Sequence, residues 1–271
     1  MLRSDLVRTY GQSGRFSGFG MRNVTGPPRL KGRTIYTRAY RLAGYDFIVP
    51  NLTCPSPFAD RRNGGTPRLA AHDVDVYLAF LNRLVVSCGK ATREVQSLMG
   101  EVSLQEGAFV MIQVASSVLA DIRFRNSLVR AANVIRGEGF RLKVSIDSGE
   151  LGDVRDLRLF RQALYELGDE GIGAVLKNLQ SGCDSSFAES IVYRAVPQLS
   201  VSPQWLGIGS SDCGFDHSLY LERITLLNAA IHGDGKSVIC EGVANDWQRS
   251  FVSALPVSLF GFLDSKEDVI V

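Results

Sequence analysis

No apolar run in this 271-residue chain approaches the roughly 20 residues that a membrane-crossing helix requires. The first residues, MLRSDLVRTYGQSGRF, hold no apolar core of signal-peptide length. These absences predict a cytoplasmic protein with no membrane span. Paired cysteines are missing too. The five present (Cys54, Cys88, Cys183, Cys213, Cys240) are widely spaced and form no C-x-x-C, which disfavours a disulfide framework and a zinc-finger pattern. They read as small buried or half-buried thiols in a reducing compartment. No strand-like segment is followed by G-x-G-x-x-G or a P-loop, so dinucleotide and nucleotide-triphosphate enzymes are disfavoured. No Ser-His-Asp or Cys-His order falls at strand ends. The three histidines, His72, His217 and His232, share no ligand spacing and read as surface or helix-flank residues.

What is present is an ordinary globular composition, 45% hydrophobic and 21% charged. The formal charge of +2 hides an asymmetry. Residues 1–41 carry nine basic side chains against one acid, Asp5, so a +8 segment precedes a −6 body. The first part of it, GQSGRFSGFGMRNVTGPPRLKG, is rich in Gly, Ser and Pro and predicts an extended arm over 1–32. Such an arm suits an acidic surface. Nucleic acid is disfavoured as a partner because the basic residues are dispersed and form no helical face.

From residue 33 to 271, strand-like and helix-like segments alternate. TIYTRAYRLAGYDFIVPN reads as two strands joined at a Gly44 turn. The helical segments are 73–88, 123–139, 156–171, 184–195, 218–235 and a last one opening at Asp246. Between them stand the short apolar runs AFVMIQVAS, FRLKVSID, IGAVL, QLSVS, SVICE and SLFGFL. Short buried strands separated by amphipathic helices predict right-handed βαβ units and a parallel sheet. About eight such strands favour a closed (β/α)8 barrel. In a barrel the carboxyl ends of the strands line one mouth, here Asp46, Gln113, Ser145 with Asp147, Lys177 with Asn178, Ser200 and Glu241.

The order and spacing of these positions resemble the EAL domain, the bacterial phosphodiesterase that opens cyclic di-GMP with two divalent metals. VICEGVANDWQRSF is similar to that family's VAEGVE…Q, matching at Glu241, Gly242, Val243 and Gln248. GIGAVLKNLQSG stands where the family has G…LALDDFGTG, and QLSVS where it has LKID. VMIQVASSVL, LKVSID and AGYDFIVPN occupy the places of VNLS, LEITE and GYEALLRW, and GFLDS resembles the closing GYLFSKP. The resemblance covers roughly 33–265 and rests on collinear order more than on any one motif.

The resemblance also locates substitutions. The signature Glu is the shorter Asp46, and the amide ligand is Gln113, one methylene longer. The next carboxylate is Ser145, the Asp-Asp pair is Lys177-Asn178, and the water-activating Lys is Ser200. Pro50 or Asn51 stands where an Arg grips the ligand phosphate; only Glu241 and Gln248 are unchanged. A lysine at roughly 4 Å from a divalent ion is repelled by about 8 kcal/mol at an effective dielectric near 20. The family mechanism therefore should not run, and neither a metal site nor a cofactor is expected. Two fates for Lys177 stay open: its ammonium pairs with Asp46, Glu241 or both, or it reaches solvent while Glu241 caps the next helix. The resemblance implies a catalytically inactive regulator in bacterial cyclic di-GMP signalling, acting through a protein partner such as a transcription factor or signalling enzyme. The alternatives are a non-hydrolysing cyclic di-GMP receptor and, third, an active metal-dependent phosphodiesterase.

Overall fold

The structure, a computed structural model, describes residues 31–39, 41–48, 74–75, 77–86, 88, 108–179, 187–209, 214–262 and 269–270. The expected 1–32 arm therefore lies outside the described residues except for its last two, which open the first strand.

The strand order is β2-β3-β4-β5-β6-β7-β8-β1, and pairing of β1 with β2 closes the barrel. The strands are β1 (Lys31–Thr37), β2 (Leu42–Ile48), β3 (Phe109–Gln113), β4 (Arg141–Asp147), β5 (Gly173–Lys177), β6 (Gln198–Val201), β7 (Ser237–Val243) and β8 (Leu259–Phe262). A short β9 (Val269–Ile270) adds to the open half of β1. The chain is helical at 74–75, 77–86 and 88 (α1). The other helices are α2 (Ser116–Leu119), α3 (Ile122–Gly137), α4 (Leu157–Asp169), α5 (Phe187–Ala195), α6 (His217–Asn228) and α7 (Asp246–Ser253).

Alternation along each strand sorts the two faces. On β4, Leu142, Val144 and Ile146 turn outward into the large core beneath the helices. A small separate core of Ile35, Ala43, Phe109, Met111, Val175 and Ile239 fills the barrel interior. The helices supply the outer layer through i, i+3, i+4 stripes, as with Phe160, Ala163, Leu164 and Leu167 on α4. Their ends are chemically marked. Asp121 and Asp156 accept from the first backbone amides of α3 and α4. Gly139 and Gly171, in the left-handed region at φ 89° and 76°, turn the chain into the next strand.

Three expectations are corrected. The sheet is not wholly parallel: β1 runs antiparallel to both β2 and β8. The connection from Thr37 to Leu42 is too short for the crossover that a parallel pair requires. The turn is not at Gly44 but before it, where Thr37 N donates to Arg41 O at 2.8 Å. Gly44 lies within β2, and a Cβ there would stand 2.2 Å from the Phe109 carbonyl oxygen. Glycine is needed at this position for close approach of β3, not for bending. The helix expected over 218–235 ends at Asn228, and Ala229–Gly233 continues as a π turn.

Because Gly44 has no room for a side chain, Gly44→Ala is expected to cost about 3 kcal/mol or more through forced separation of β2 and β3. Urea unfolding measures it; a loss below about 1 kcal/mol removes the close contact from the account.

Candidate functional site

The antiparallel β1 delivers a residue that the strand-end count missed. Arg33 lies opposite Asp46 in the pairing of β1 and β2, so a guanidinium-bearing residue joins the carboxyl-end mouth from the amino end of its own strand. Only the antiparallel direction of β1 puts it there.

At the centre of the mouth stands Lys177, the last residue of β5. Its Nζ donates to Asp46 Oδ2 at 2.8 Å and to Glu241 Oε2 at 3.0 Å. All three side chains are largely withdrawn from solvent, at 11%, 4% and 15% exposure for Lys177, Asp46 and Glu241. Ser200 Oγ donates to the other Glu241 oxygen at 2.7 Å. Strands β2, β5, β6 and β7 are thus tied by one polar chain. The alternative in which Lys177 reaches solvent and Glu241 caps a helix is overturned; Asn245 caps α7, accepting from Gln248 N at 2.9 Å.

Alternation along β7, with Ile239 inside and Cys240 outside, aims Glu241 inward, and a local irregularity follows it. The pairing of β7 with β8 shifts register between Glu241 and Val243, and Gly242 between them has φ 83°. Asn178, directly after Lys177, also has positive φ, 53°. Its side chain turns away from the ion pair and donates to Asp147 Oδ2 at 2.6 Å, while its carbonyl accepts from Ser148 Oγ. Asn178 therefore latches the β4 and β5 ends together. Ser145 is wholly buried and donates to the Ile112 carbonyl at 3.4 Å. Gln113 is half-buried at the end of β3.

Gln248 does not reach the mouth's charges. Its side chain is buried, accepting from Ala244 N at 2.8 Å and donating to Gly209 O at 2.9 Å. It braces the start of α7 against the segment after β6, which explains a glutamine there without a ligand. Asp216 caps α6, accepting from Leu219 N at 3.0 Å. Trp205 donates to Leu179 O at 2.8 Å, and Trp247 lies against Phe251, so both belong to packing. His217 opens α6 and His232 lies in the π turn; His72 is outside the described residues.

Electrostatics follow from burial and partners. Burial pushes the Asp46 carboxyl above its usual 3.8; Lys177 opposes this, Glu241 adds to it, and Arg33 opposes it more weakly. Burial works against the charge of Lys177, but Asp46 and Glu241 outweigh it and hold the ammonium above its usual 10.5. A lysine so held is a cation, not a nucleophile. The two thiols among the described residues offer no alternative: burial pushes Cys88 up to about 12 and Cys240 higher still.

This donor set does not fit a divalent cation while Lys177 is charged. Both carboxylates that could bind one are turned onto the ammonium, and an ion about 4 Å away would meet roughly 8 kcal/mol of repulsion. Among the described residues no three His, Cys, Asp or Glu side chains converge as a metal site.

No family model matches the sequence, and no curated protein matches it significantly. Solved structures do match the fold. The EAL enzyme Bd1971, in its cAMP- and cyclic-di-GMP-bound form, is 12% identical with a TM-score of 0.61, covering 86% of this chain and 60% of that one. BlrP1 of Klebsiella pneumoniae, in a calcium and cyclic di-GMP complex, is 15% identical with a TM-score of 0.60, covering 90% and 57%. The PaMucR phosphodiesterase in its c-di-GMP complex is 13% identical with a TM-score of 0.59, covering 86% and 92%. The architecture is that of an EAL-type α/β barrel. The chain spans 60% of Bd1971 and 57% of BlrP1, and nearly all of the PaMucR chain.

Removing the ammonium leaves two buried carboxylates uncompensated, so Lys177→Met is expected to cost about 3–5 kcal/mol in chemical unfolding. The folded pKa of Lys177 lies above the unfolded 10.5. Its contribution is therefore complete below that pH and lost as pH rises through the folded value. The gap between wild type and Lys177→Met should narrow as pH rises above about 10.5 toward the folded value. A gap that is level through the alkaline range contradicts this.

Proposed function

We propose that this chain is a catalytically silent EAL-type barrel, working in the cytoplasm of a bacterium as a regulator in cyclic di-GMP signalling through contact with another protein. One observation carries the reading: the Lys177 ammonium lies within hydrogen-bonding distance of both Asp46 and Glu241. Opening a phosphodiester with metal-activated water needs oxygen ligands free to hold the ions. Here those oxygens already serve a fixed positive charge, and Ser145, Asn178 and Ser200 supply no carboxylate beside them. Retention of the barrel without its chemistry points to a role for its surface. No helix among the described residues is long and apolar enough to cross a membrane.

The same geometry argues against tight binding of cyclic di-GMP. Lys177 is shared between two carboxylates, so a ligand phosphate would compete with both for it and meet their charge. The receptor reading is the second arm of the test.

Purified protein with Mn2+ or Mg2+ is expected to leave cyclic di-GMP intact, with no product by chromatography. Isothermal titration is expected to give no heat at micromolar ligand. Metal-dependent product abolished by Glu241→Ala sinks the silent reading. Micromolar binding without product replaces the protein-contact role with that of a receptor.

A further inference from the structure

We infer that Lys177 is the resident cation of this barrel: its ammonium fills the position a single divalent ion would take between Asp46 and Glu241, and deleting that side chain exposes a cation site in its place. The inference rests on the reading of the barrel as silent and goes beyond it, since loss of activity alone requires no latent site.

The argument starts from charge balance. Two carboxylates face one ammonium, so the group as built already carries more negative than positive charge. One oxygen of the group, Asp46 Oδ1, is buried with no hydrogen-bond partner among the described residues. Arg33, opposite Asp46 on β1, lowers the carboxyl's pKa through its charge but makes no ion pair with it among the described contacts. Asp147, paired in register with Lys177, is occupied elsewhere, accepting from Gly149 N at 2.8 Å and from Asn178 Nδ2 at 2.6 Å. Glu241 cannot swing away easily, because Ser200 holds its second oxygen.

Truncating Lys177 to alanine empties the volume of three methylenes and the ammonium between fixed oxygens. Two buried carboxylates without a counter-ion must take up a proton, draw in water or bind a cation. Divalent ions such as Mn2+ and Ca2+ prefer carboxylate and amide oxygens, with water completing their shell. Asp46 and Glu241 supply the first. The half-buried Gln113, at the neighbouring strand end, supplies the second. Methionine at 177 keeps the volume filled and offers no charge, so it separates loss of the ammonium from opening of the space.

Lys177→Ala, Lys177→Met and the double variant Lys177→Ala/Asp46→Asn are titrated with MnCl2, read by thermal unfolding and by loss of the free Mn2+ signal in electron paramagnetic resonance. In Lys177→Ala, about one equivalent of Mn2+ binds, and the midpoint rises by about 5 °C or more at Mn2+ well above the dissociation constant. Wild type, Lys177→Met and the double variant move by less than about 1 °C. If Lys177→Ala is insoluble without metal, recovery of folded protein after refolding in Mn2+ against EDTA is the readout, with the double variant as control. An unresponsive Lys177→Ala, or an equal response in wild type or in the double variant, overturns the inference. Wild-type turnover of cyclic di-GMP in Mn2+ sinks the silent reading instead, so the two failures are distinct.

Discussion

One shared proton donor organises the mouth of this barrel. Lys177 on β5 reaches Asp46 on β2 and Glu241 on β7, and Ser200 on β6 secures the far oxygen of Glu241. These strands are distant in sequence and not all adjacent in the sheet, so the contact spans the lumen where backbone hydrogen bonds run only around the wall. A metal ion can bind a barrel mouth together in the same way, with oxygens converging from several strands. Here a covalently tethered ammonium performs that binding, with no dependence on solute concentration.

Much of the surrounding structure makes sense as support for that contact. Alternation from Ile239 turns Glu241 inward and the bulge at Gly242 then sends Val243 outward, while the left-handed Asn178 ends β5 just after Lys177 and fastens the next turn to Asp147 and Ser148. Below the mouth, the inner core is thin: Ile35, Ala43, Phe109, Met111, Val175 and Ile239, against a far larger apolar layer outside the strands. A narrow apolar floor beneath buried charges raises the cost of leaving any of them unpaired. Stability and the electrostatics of the mouth are therefore one problem in this chain.

The sequence carried the outer layer well. Apolar stripes on α3 and α4 and the runs at β4, β5 and β7 are strong periodic signals, because one face of each meets the same large core. The strand-end residues followed from counting, and the pairing of Lys177 with acids was one of two fates that residue types allowed. Three features were not legible. The direction of β1 depends on connection length, and placing the turn at Gly44 rather than near Thr37 hid Arg33. Gly44 has a tertiary reason, the Phe109 carbonyl, that no local pattern encodes. Gln248 looked like a retained ligand residue, yet its amide is spent on the backbone at Ala244, Ile208 and Gly209. A glutamine at a position that the resemblance singles out need not mark a site; it can mark a helix start that has to be braced.

A second lysine inside the same barrel shows that the partners, not the burial, decide what an enclosed amine becomes. Lys143 points inward from β4 near the amino end of the barrel, its Nζ 2.8 Å from Gln198 Oε1 and 3.9 Å from the Phe109 ring centroid. Among the described residues it has a neutral amide and an aromatic face but no carboxylate. Burial first, and then the charge of Arg141, bring it down to about 8. Lys177 is enclosed as well, yet two carboxylates drive it the other way. With opposite partners at the two ends, the ammonium at the mouth is held above its usual range and the amine near the amino end below it. The same side chain is a titratable amine below and a permanent counter-ion above. That difference is why Lys177, and not Lys143, can stand in for a metal.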